Sequence, residues 1–219
     1  GCDIGFSFDG DGDRVLAVDH KGRLYDGDML LYVIGVHMKK EGILKHDTVV
    51  LTEMSNPGIV KAFADAGIKV VRTKVGDRNV SLEMQKNDYS LGGENSGHII
   101  MRDLLQTGDG ILAAVRTMQV LHSERRPISA LAEAVEICPQ VTENIRDIDK
   151  SVADSKAVRK AVKDMKKKLG KDALVLIRKS GTEPVVRITV SHREEATVKE
   201  AIDSLRDTIT EEGRNGNDE

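Results

Sequence analysis

With 219 residues, a net charge of −3, 39% hydrophobic residues and 32% charged ones, the chain can build one or two domains with a real core and is too polar for a membrane protein. No apolar run reaches the ~20 residues that a spanning helix needs; the longest, Met29 to Val36, is interrupted by Tyr32 and Gly35. A near-neutral balance without a basic block, and 3% aromatics with no Trp, argue against nucleic acid as the main partner.

In chain order, Ile4, Phe6 and Phe8 alternate with smaller or polar residues and predict a strand over 3–8. An acidic loop, Asp9-Gly10-Asp11-Gly12-Asp13-Arg14, leads to a strand from Val15 to Val18, a turn at His20-Lys21-Gly22, and Arg23-Leu24-Tyr25. Asp26-Gly27-Asp28 offers an N-cap for a helix over 28–40. Thr48 to Thr52 is β-branched and apolar, hence a strand. Pro57 marks a helix start and Gly67 a position just past its end. Ile68 to Arg72 predicts a strand, Gly76-Asp77-Arg78 a loop, and the following residues a helix to about Lys86. A short strand at Tyr89 to Leu91 precedes the loop Gly92-Gly93-Glu94-Asn95-Ser96-Gly97, and His98 to Met101 returns as a strand. Gly108-Asp109 caps a helix to about His122, and another helix follows Pro127. Strands alternating with helices predict an α/β domain with a largely parallel sheet.

The pattern breaks near Ile137-Cys138-Pro139, where a smaller domain begins. It reads as a strand at Val141 to Ile145 and a helix over 151–169 with Val158, Ala161, Val162, Met165 and Leu169 on one face. Strands at Ala173 to Ile177 and Val185 to Val190 and a helix from Glu194 to Thr210 complete it. The polar end of the chain is expected to be disordered. Cys2 and Cys138 have neither metal-ligand nor disulfide-rich spacing, which fits a reducing cytoplasm. No signal-peptide pattern is seen, and a chain opening at Gly1 inside a strand is expected to be a piece of something longer.

Three loops carry chemistry. In 9–14, three carboxylates alternate with two glycines directly after an apolar strand. Crowded carboxylates repel unless a cation or a buried Arg offsets them, glycines let successive side chains aim at one point, and hard oxygen ligands suit Mg²⁺ or Ca²⁺. As an EF-hand the loop fails, with Arg14 where the sixth position needs Gly and His20 where the twelfth needs Glu. In 92–98, Glu94 and Ser96 on a glycine-flexed loop suit sugar hydroxyls, while a plain solvated turn would have the same composition. Between two predicted strands, Arg178-Lys179-Ser180-Gly181-Thr182-Glu183-Pro184, with Arg187 beyond, offers hydroxyls, backbone N–H groups and guanidinium forks for a phosphate. It is not a Walker motif, and a decorated hairpin is the plainer reading.

Taken in this order, Phe8-Asp-Gly-Asp-Gly-Asp-Arg14, Gly93-Glu-Asn-Ser-Gly-His98 and Arg178-Lys-Ser-Gly-Thr-Glu-Pro184 resemble the metal, sugar and phosphate loops of the α-D-phosphohexomutase superfamily. Val75-Gly-Asp-Arg78 and the Glu-Asn-Ser and Ser-Gly-Thr-Glu-Pro forms are most similar to its bacterial amino-sugar branch. The resemblance implies the end of a metal-binding domain at 1–27, a complete α/β/α sugar-binding domain with a mostly parallel sheet at 28–138, an α+β phosphate-binding domain at 139–211 and a tail at 212–219. It further implies a cytoplasmic isomerase that uses Mg²⁺ held by Asp9, Asp11 and Asp13, with Arg14 beside the transferring group. Glu94, Ser96 and His98 would face the sugar, and Arg178, Ser180, Gly181, Thr182 and Arg187 the phosphate that does not react. The substrate implied is a phosphosugar, glucosamine 6-phosphate exchanging with glucosamine 1-phosphate through a phosphoserine and a 1,6-bisphosphate. A mannose or glucose phosphomutase and a non-catalytic phosphosugar- or Mg²⁺-binding module are the alternatives. The family's Ser-His-Asn-Pro-type nucleophile motif does not occur in these 219 residues, and Ser55-Asn56-Pro57 is not assigned to it.

Overall fold

The structure is a computed structural model that describes residues 1–180 and 183–215. It divides into two compact units, Gly1–Glu136 and Ile137–Glu219.

In the first unit, β1 (Ile4–Phe8), β2 (Val15–Asp19) and β3 (Leu24–Tyr25) form an antiparallel sheet in that order. Then come α1 (Gly27–Lys40), β4 (Thr48–Thr52), α2 (Pro57–Asp65), β5 (Lys69–Thr73), α3 (Asp77–Asn87), β6 (Leu91–Gly93), β7 (Ile99–Met101), α4 (Gly110–Glu124) and the single turn α5 (Ile128–Leu131). The larger sheet has the order β5-β4-β6-β7, parallel except for β7. Every residue of β4 is buried, as a central strand covered on both faces requires. Its side chains alternate: Val49 and Leu51 join the core with α1 and α2, while Val50 packs with Val80 and Met84 of α3. Residues 1–27, expected as the end of a separate domain, lie in this same compact unit, and Val15, Ala17 and Tyr25 enter its core. Nearly all of α1 is buried because it packs against β6 of the larger sheet and β2 and β3 of the smaller one.

Two expectations shift. Strand β6 falls on Leu91–Gly93, not on 89–91, so both glycines belong to the sheet. A Cβ on Gly92 would lie 2.7 Å from Met84 Sδ, and one on Gly93 would lie 2.4 Å from the His98 carbonyl oxygen. Their smallness serves close packing, not loop flexure. The helix expected after Pro127 is one turn only.

The second unit holds β8 (Gln140–Ile145), α6 (Lys156–Leu169), β9 (Leu174–Lys179), β10 (Val186–Ser191) and α7 (Glu195–Asn215), with the antiparallel order β8-β10-β9. Val186, Ile188 and Val190 of the central strand meet Val198, Ala201, Ile202, Leu205 and Ile209 of α7. Each fully buried aliphatic side chain contributes about 1.5–3 kcal/mol. The helix expected over 151–169 begins with a separate 3₁₀ turn, Lys150–Asp154, and Ser155 Oγ then caps α6 by accepting the Val158 N–H at 3.2 Å. Helix α7 runs to Asn215, past the expected end near Thr210, so the tail expected from residue 212 is helical at its start. Ile148 packs on Gly213, where a Cβ would lie 2.3 Å from its Cδ1. Residues 216–219 of that expected tail lie outside the described residues.

Candidate functional site

The loop between β1 and β2 turns at Gly12, whose φ of +74° favours glycine. Carboxylate oxygens of Asp9, Asp11 and Asp13 lie within 4.8 Å of one another, near enough to share one ion. Arg14 partly offsets their repulsion, with its Nε 3.6 Å from Asp9 and 3.8 Å from Asp13. Desolvation raises the Asp9 pKa, but the Arg14 N–H bonded to it at 3.2 Å, the Asp13 side chain and the Arg14 charge outweigh that and hold the carboxyl below its usual range. Asp13 Oδ1 is buried and accepts no hydrogen bond. A buried carboxylate oxygen without a hydrogen bond, in a cluster of three carboxylates, fits a hard divalent cation.

The segment 94–98 follows β6, and the β4–α2 and β5–α3 loops likewise follow the C-terminal ends of parallel strands. Ligands of open α/β sheets bind at that edge. Glu94 Oε1 accepts the Gly76 N–H at 2.9 Å, tying 94–98 to the β5–α3 loop. The Gly27 N–H at the start of α1 donates to the Asn95 carbonyl at 3.0 Å. Val15 N–H donates to the Gly97 carbonyl at 3.1 Å, and Arg14 and His98 form an isolated antiparallel bridge, so the acidic loop and 94–98 share a backbone ladder. At the start of α4, Gly110 N–H donates to the Gly12 carbonyl at 2.9 Å. Ser96 is exposed and Glu94 half-buried, as polar contacts to a ligand require. His98 differs: it is 4% exposed and its Nδ1 lies 3.1 Å from Asp13 Oδ2, so its described side-chain contact is with the acidic loop.

The sequence marks Asp26-Gly27-Asp28 only as a helix cap. Asp26 is the cap of α1, accepting the Met29 N–H at 3.1 Å, and Asp28 is a buried core group. It accepts the Ser55 hydroxyl at 2.8 Å and the Asn56 N–H at 2.9 Å, which fixes the β4–α2 loop. Burial and the nearby Asp26 charge push its pKa up to about 7, against the opposing effect of those hydrogen bonds and Arg72.

In the second unit, β9 and β10 form a hairpin in which Arg178 and Arg187 are cross-strand partners and so share one sheet face. Arg178 Nε is buried without a partner. Arg187 is aimed by Glu183 and by Asn144 Oδ1, the latter 3.1 Å from its Nε. Ser180 Oγ accepts the Glu183 N–H at 3.1 Å. Lys150 Nζ donates to the Ser180 carbonyl at 3.1 Å and reaches the Glu183 carbonyl at 3.5 Å, bracing both sides of the loop. Gly181 and Thr182 lie outside the described residues. Lys150 and Asn144 lie about thirty or more positions away from the loop in sequence, where no local pattern marks them.

The family described as "Phosphoglucomutase/phosphomannomutase, alpha/beta/alpha domain III" matches residues 26–137, and "Phosphoglucomutase/phosphomannomutase, C-terminal domain" matches residues 139–208. The phosphoglucosamine mutase of Oceanobacillus iheyensis is 47% identical over 209 residues, which is 95% of this chain and 46% of that protein. That of Bacillus subtilis is 44% identical over 211 residues, 96% of this chain and 46% of that protein. The chain thus spans about half the length of the curated relatives it matches. Among solved structures, a phosphoglucomutase/phosphomannomutase family protein from Burkholderia thailandensis matches with a TM-score of 0.80 at 21% identity, over 96% of this chain and 47% of that one. N-acetylphosphoglucosamine mutase of Aspergillus fumigatus, in complex with GlcNAc-6P and magnesium, matches with a TM-score of 0.77 at 17% identity, over 95% of this chain and 48% of that one. At these identities the structures speak for the fold. No helix of the structure, among the described residues, is long and apolar enough to cross a membrane.

Proposed function

The chain belongs to the phosphoglucomutase/phosphomannomutase family, and we propose that it is the portion of a phosphoglucosamine mutase that binds metal, sugar and phosphate. The reaction is the interconversion of glucosamine 6-phosphate and glucosamine 1-phosphate through a phosphoserine and a 1,6-bisphosphate. The nucleophile motif is absent from these residues. The relatives that match along 95% of the chain favour the amino-sugar substrate over glucose or mannose phosphates.

The observation that carries this reading is the ladder joining the acidic loop to 94–98, Val15 N–H to Gly97 carbonyl and Arg14 to His98. It holds three carboxylates and the Glu94–Ser96 pair in one frame within the first unit. Asp9, Asp11 and Asp13 would hold Mg²⁺, which when bound supplies charge stabilisation for a transferring phosphoryl group. Arg14, which is exposed, adds positive charge beside it. Glu94 and Ser96 hold sugar hydroxyls. The oxygen of Glu94 already bonded to Gly76 N–H fixes the carboxylate and leaves the other oxygen for the ligand. Arg178, Ser180, Gly181, Thr182 and Arg187 bind a phosphate, with Lys150 and Glu183 supporting them. Grip on a phosphate that does not react supplies binding energy for positioning. The setting is the cytoplasm.

A coupled assay with glucosamine 6-phosphate and Mg²⁺ is expected to show no turnover by the 219-residue chain. Competition binding should rank glucosamine 6-phosphate above glucose 6-phosphate. Turnover would reveal a nucleophile within the chain, and preference for glucose would refute the amino-sugar assignment.

A further inference from the structure

We propose that His98 is a positioning residue for the metal: it orients the Asp13 carboxylate and thereby couples cation binding to the conformation of the sugar loop. The inference rests on the reading of Asp9, Asp11 and Asp13 as metal ligands, and adds a residue outside that loop.

Three observations converge on it. First, His98 Nδ1 lies 3.1 Å from Asp13 Oδ2, while Asp13 Oδ1 is buried without a hydrogen bond, its charged neighbour being Arg14 Nε at 3.8 Å. Nδ1 carries the proton, because the carboxylate opposite it is an acceptor. The imidazole therefore occupies one oxygen and leaves the other for an ion. Such outer contacts fix the rotation of a ligating group and are costly to remove. Second, the ring is held in place by packing. It is 4% exposed, and its Nε2 is buried without a hydrogen bond. The far edge is seated on Gly108, where a Cβ would lie 2.3 Å from Nε2 and 2.5 Å from Cε1. Only glycine leaves room for the imidazole there. Third, the backbone of His98 is bridged to Arg14, the residue after Asp13, and the neighbouring Gly97 carbonyl accepts the Val15 N–H. The side-chain contact thus closes a small ring of interactions in which the acidic loop and 94–98 cannot move independently.

Asp13 is also 3.8 Å from the Arg14 guanidinium, but that side chain is 53% exposed and belongs to the same loop. His98 is the group that reports from the sugar loop. Because coupling is reciprocal, ordering of 94–98 by a sugar phosphate should tighten the cation, and the cation should tighten the sugar phosphate.

The test uses Mn²⁺ as a paramagnetic probe, with free Mn²⁺ read by electron paramagnetic resonance in titrations of the full chain. His98→Ala is expected to weaken Mn²⁺ binding about tenfold or more, the range found for outer-shell partners of metal ligands. His98→Asn, whose amide N–H can replace Nδ1–H, is expected to recover most of the loss. Gly108→Ala, which moves the ring without removing it, should weaken Mn²⁺ as well. Circular dichroism confirms that each variant is folded. Folded His98→Ala with unaltered Mn²⁺ affinity would overturn the role of His98 while leaving the three aspartates as ligands. Absence of Mn²⁺ binding by the unsubstituted chain would overturn both.

Discussion

Gly97→Ala is expected to destabilise the first unit by about 2–6 kcal/mol, the sum of a left-handed backbone position and an overpacked contact. Gly97 has φ +99°, which side-chain-bearing residues rarely adopt. A Cβ there would also lie 2.3 Å from the Val15 carbonyl oxygen and 2.9 Å from the Val15 nitrogen. Both neighbours are backbone atoms of a buried strand residue, so neither can rotate away. Relief requires 94–98 to separate from β2, which breaks the hydrogen bond from Val15 N–H to the Gly97 carbonyl. The spectroscopic readout is specific to this unit: Tyr25, Tyr32 and Tyr89, all the tyrosines of a chain without Trp, lie within Gly1–Glu136. Urea denaturation followed by tyrosine fluorescence should shift to a lower midpoint, while the second unit, followed by amide exchange in α7, should be unchanged. An unshifted tyrosine transition would mean that the close approach of 94–98 to β2 is wrong.

Asp28→Asn is expected to stabilise the first unit at pH 8, and to do so by about 2–3 kcal/mol less at pH 5. Asp28 is 1% exposed, and its pKa rises from 3.8 to about 7 chiefly through burial and then through Asp26. In the unfolded chain the group loses its proton near 3.8, whereas in the folded chain it keeps the proton until about 7. The native state therefore binds more protons between those values, and the contribution of Asp28 to stability falls as pH rises through that window. The total loss is about 4 kcal/mol by the usual conversion of pKa shift to free energy. Asparagine imitates the protonated acid: its Oδ1 can accept the Asn56 N–H and its Nδ2 can donate to Ser55 Oγ, whose hydroxyl turns round. Comparing wild type with the variant cancels the other titrating groups. At pH 5, about one unit above the unfolded value of 3.8, the variant should lead by about 1–2 kcal/mol, less any difference of about 1 kcal/mol between the two sets of hydrogen bonds. By pH 8 the variant should be the more stable by up to about 4 kcal/mol. A variant equally destabilised at both pH values would show that Asp28 is held as a carboxylate.

Much of the architecture was legible because local signals agreed. Thr48–Thr52 carries the β-branched run of a covered central strand, Pro57 the start of α2, and Asp109 the cap of α4, accepting the Leu112 N–H at 2.8 Å. The three chemical loops stood out for the same reason, since acidic, glycine and hydroxyl residues cluster at each. What was not legible depends on partners distant in sequence. Gly92 and Gly93 look like loop residues until Met84 and the His98 carbonyl are seen against them. Asp28 looks like a cap until Ser55 and Asn56 close over it. Nothing near Lys150 announces that it braces the loop after Ser180. His98 could be placed in the sugar motif only through the family resemblance, and its ring is seated on Gly108, ten positions later.

Calorimetric titration of the chain with glucosamine 6-phosphate in the presence of Mg²⁺, repeated with Glu94→Ala and Glu94→Gln, bears most directly on the proposal that this is a phosphosugar-binding portion of a mutase. One site per chain is expected, weakened at least about tenfold by either substitution, as removal of a charge-assisted hydrogen bond of about 1.5–3 kcal/mol implies. Absence of binding at millimolar ligand, or an affinity that neither substitution alters, would contradict the account.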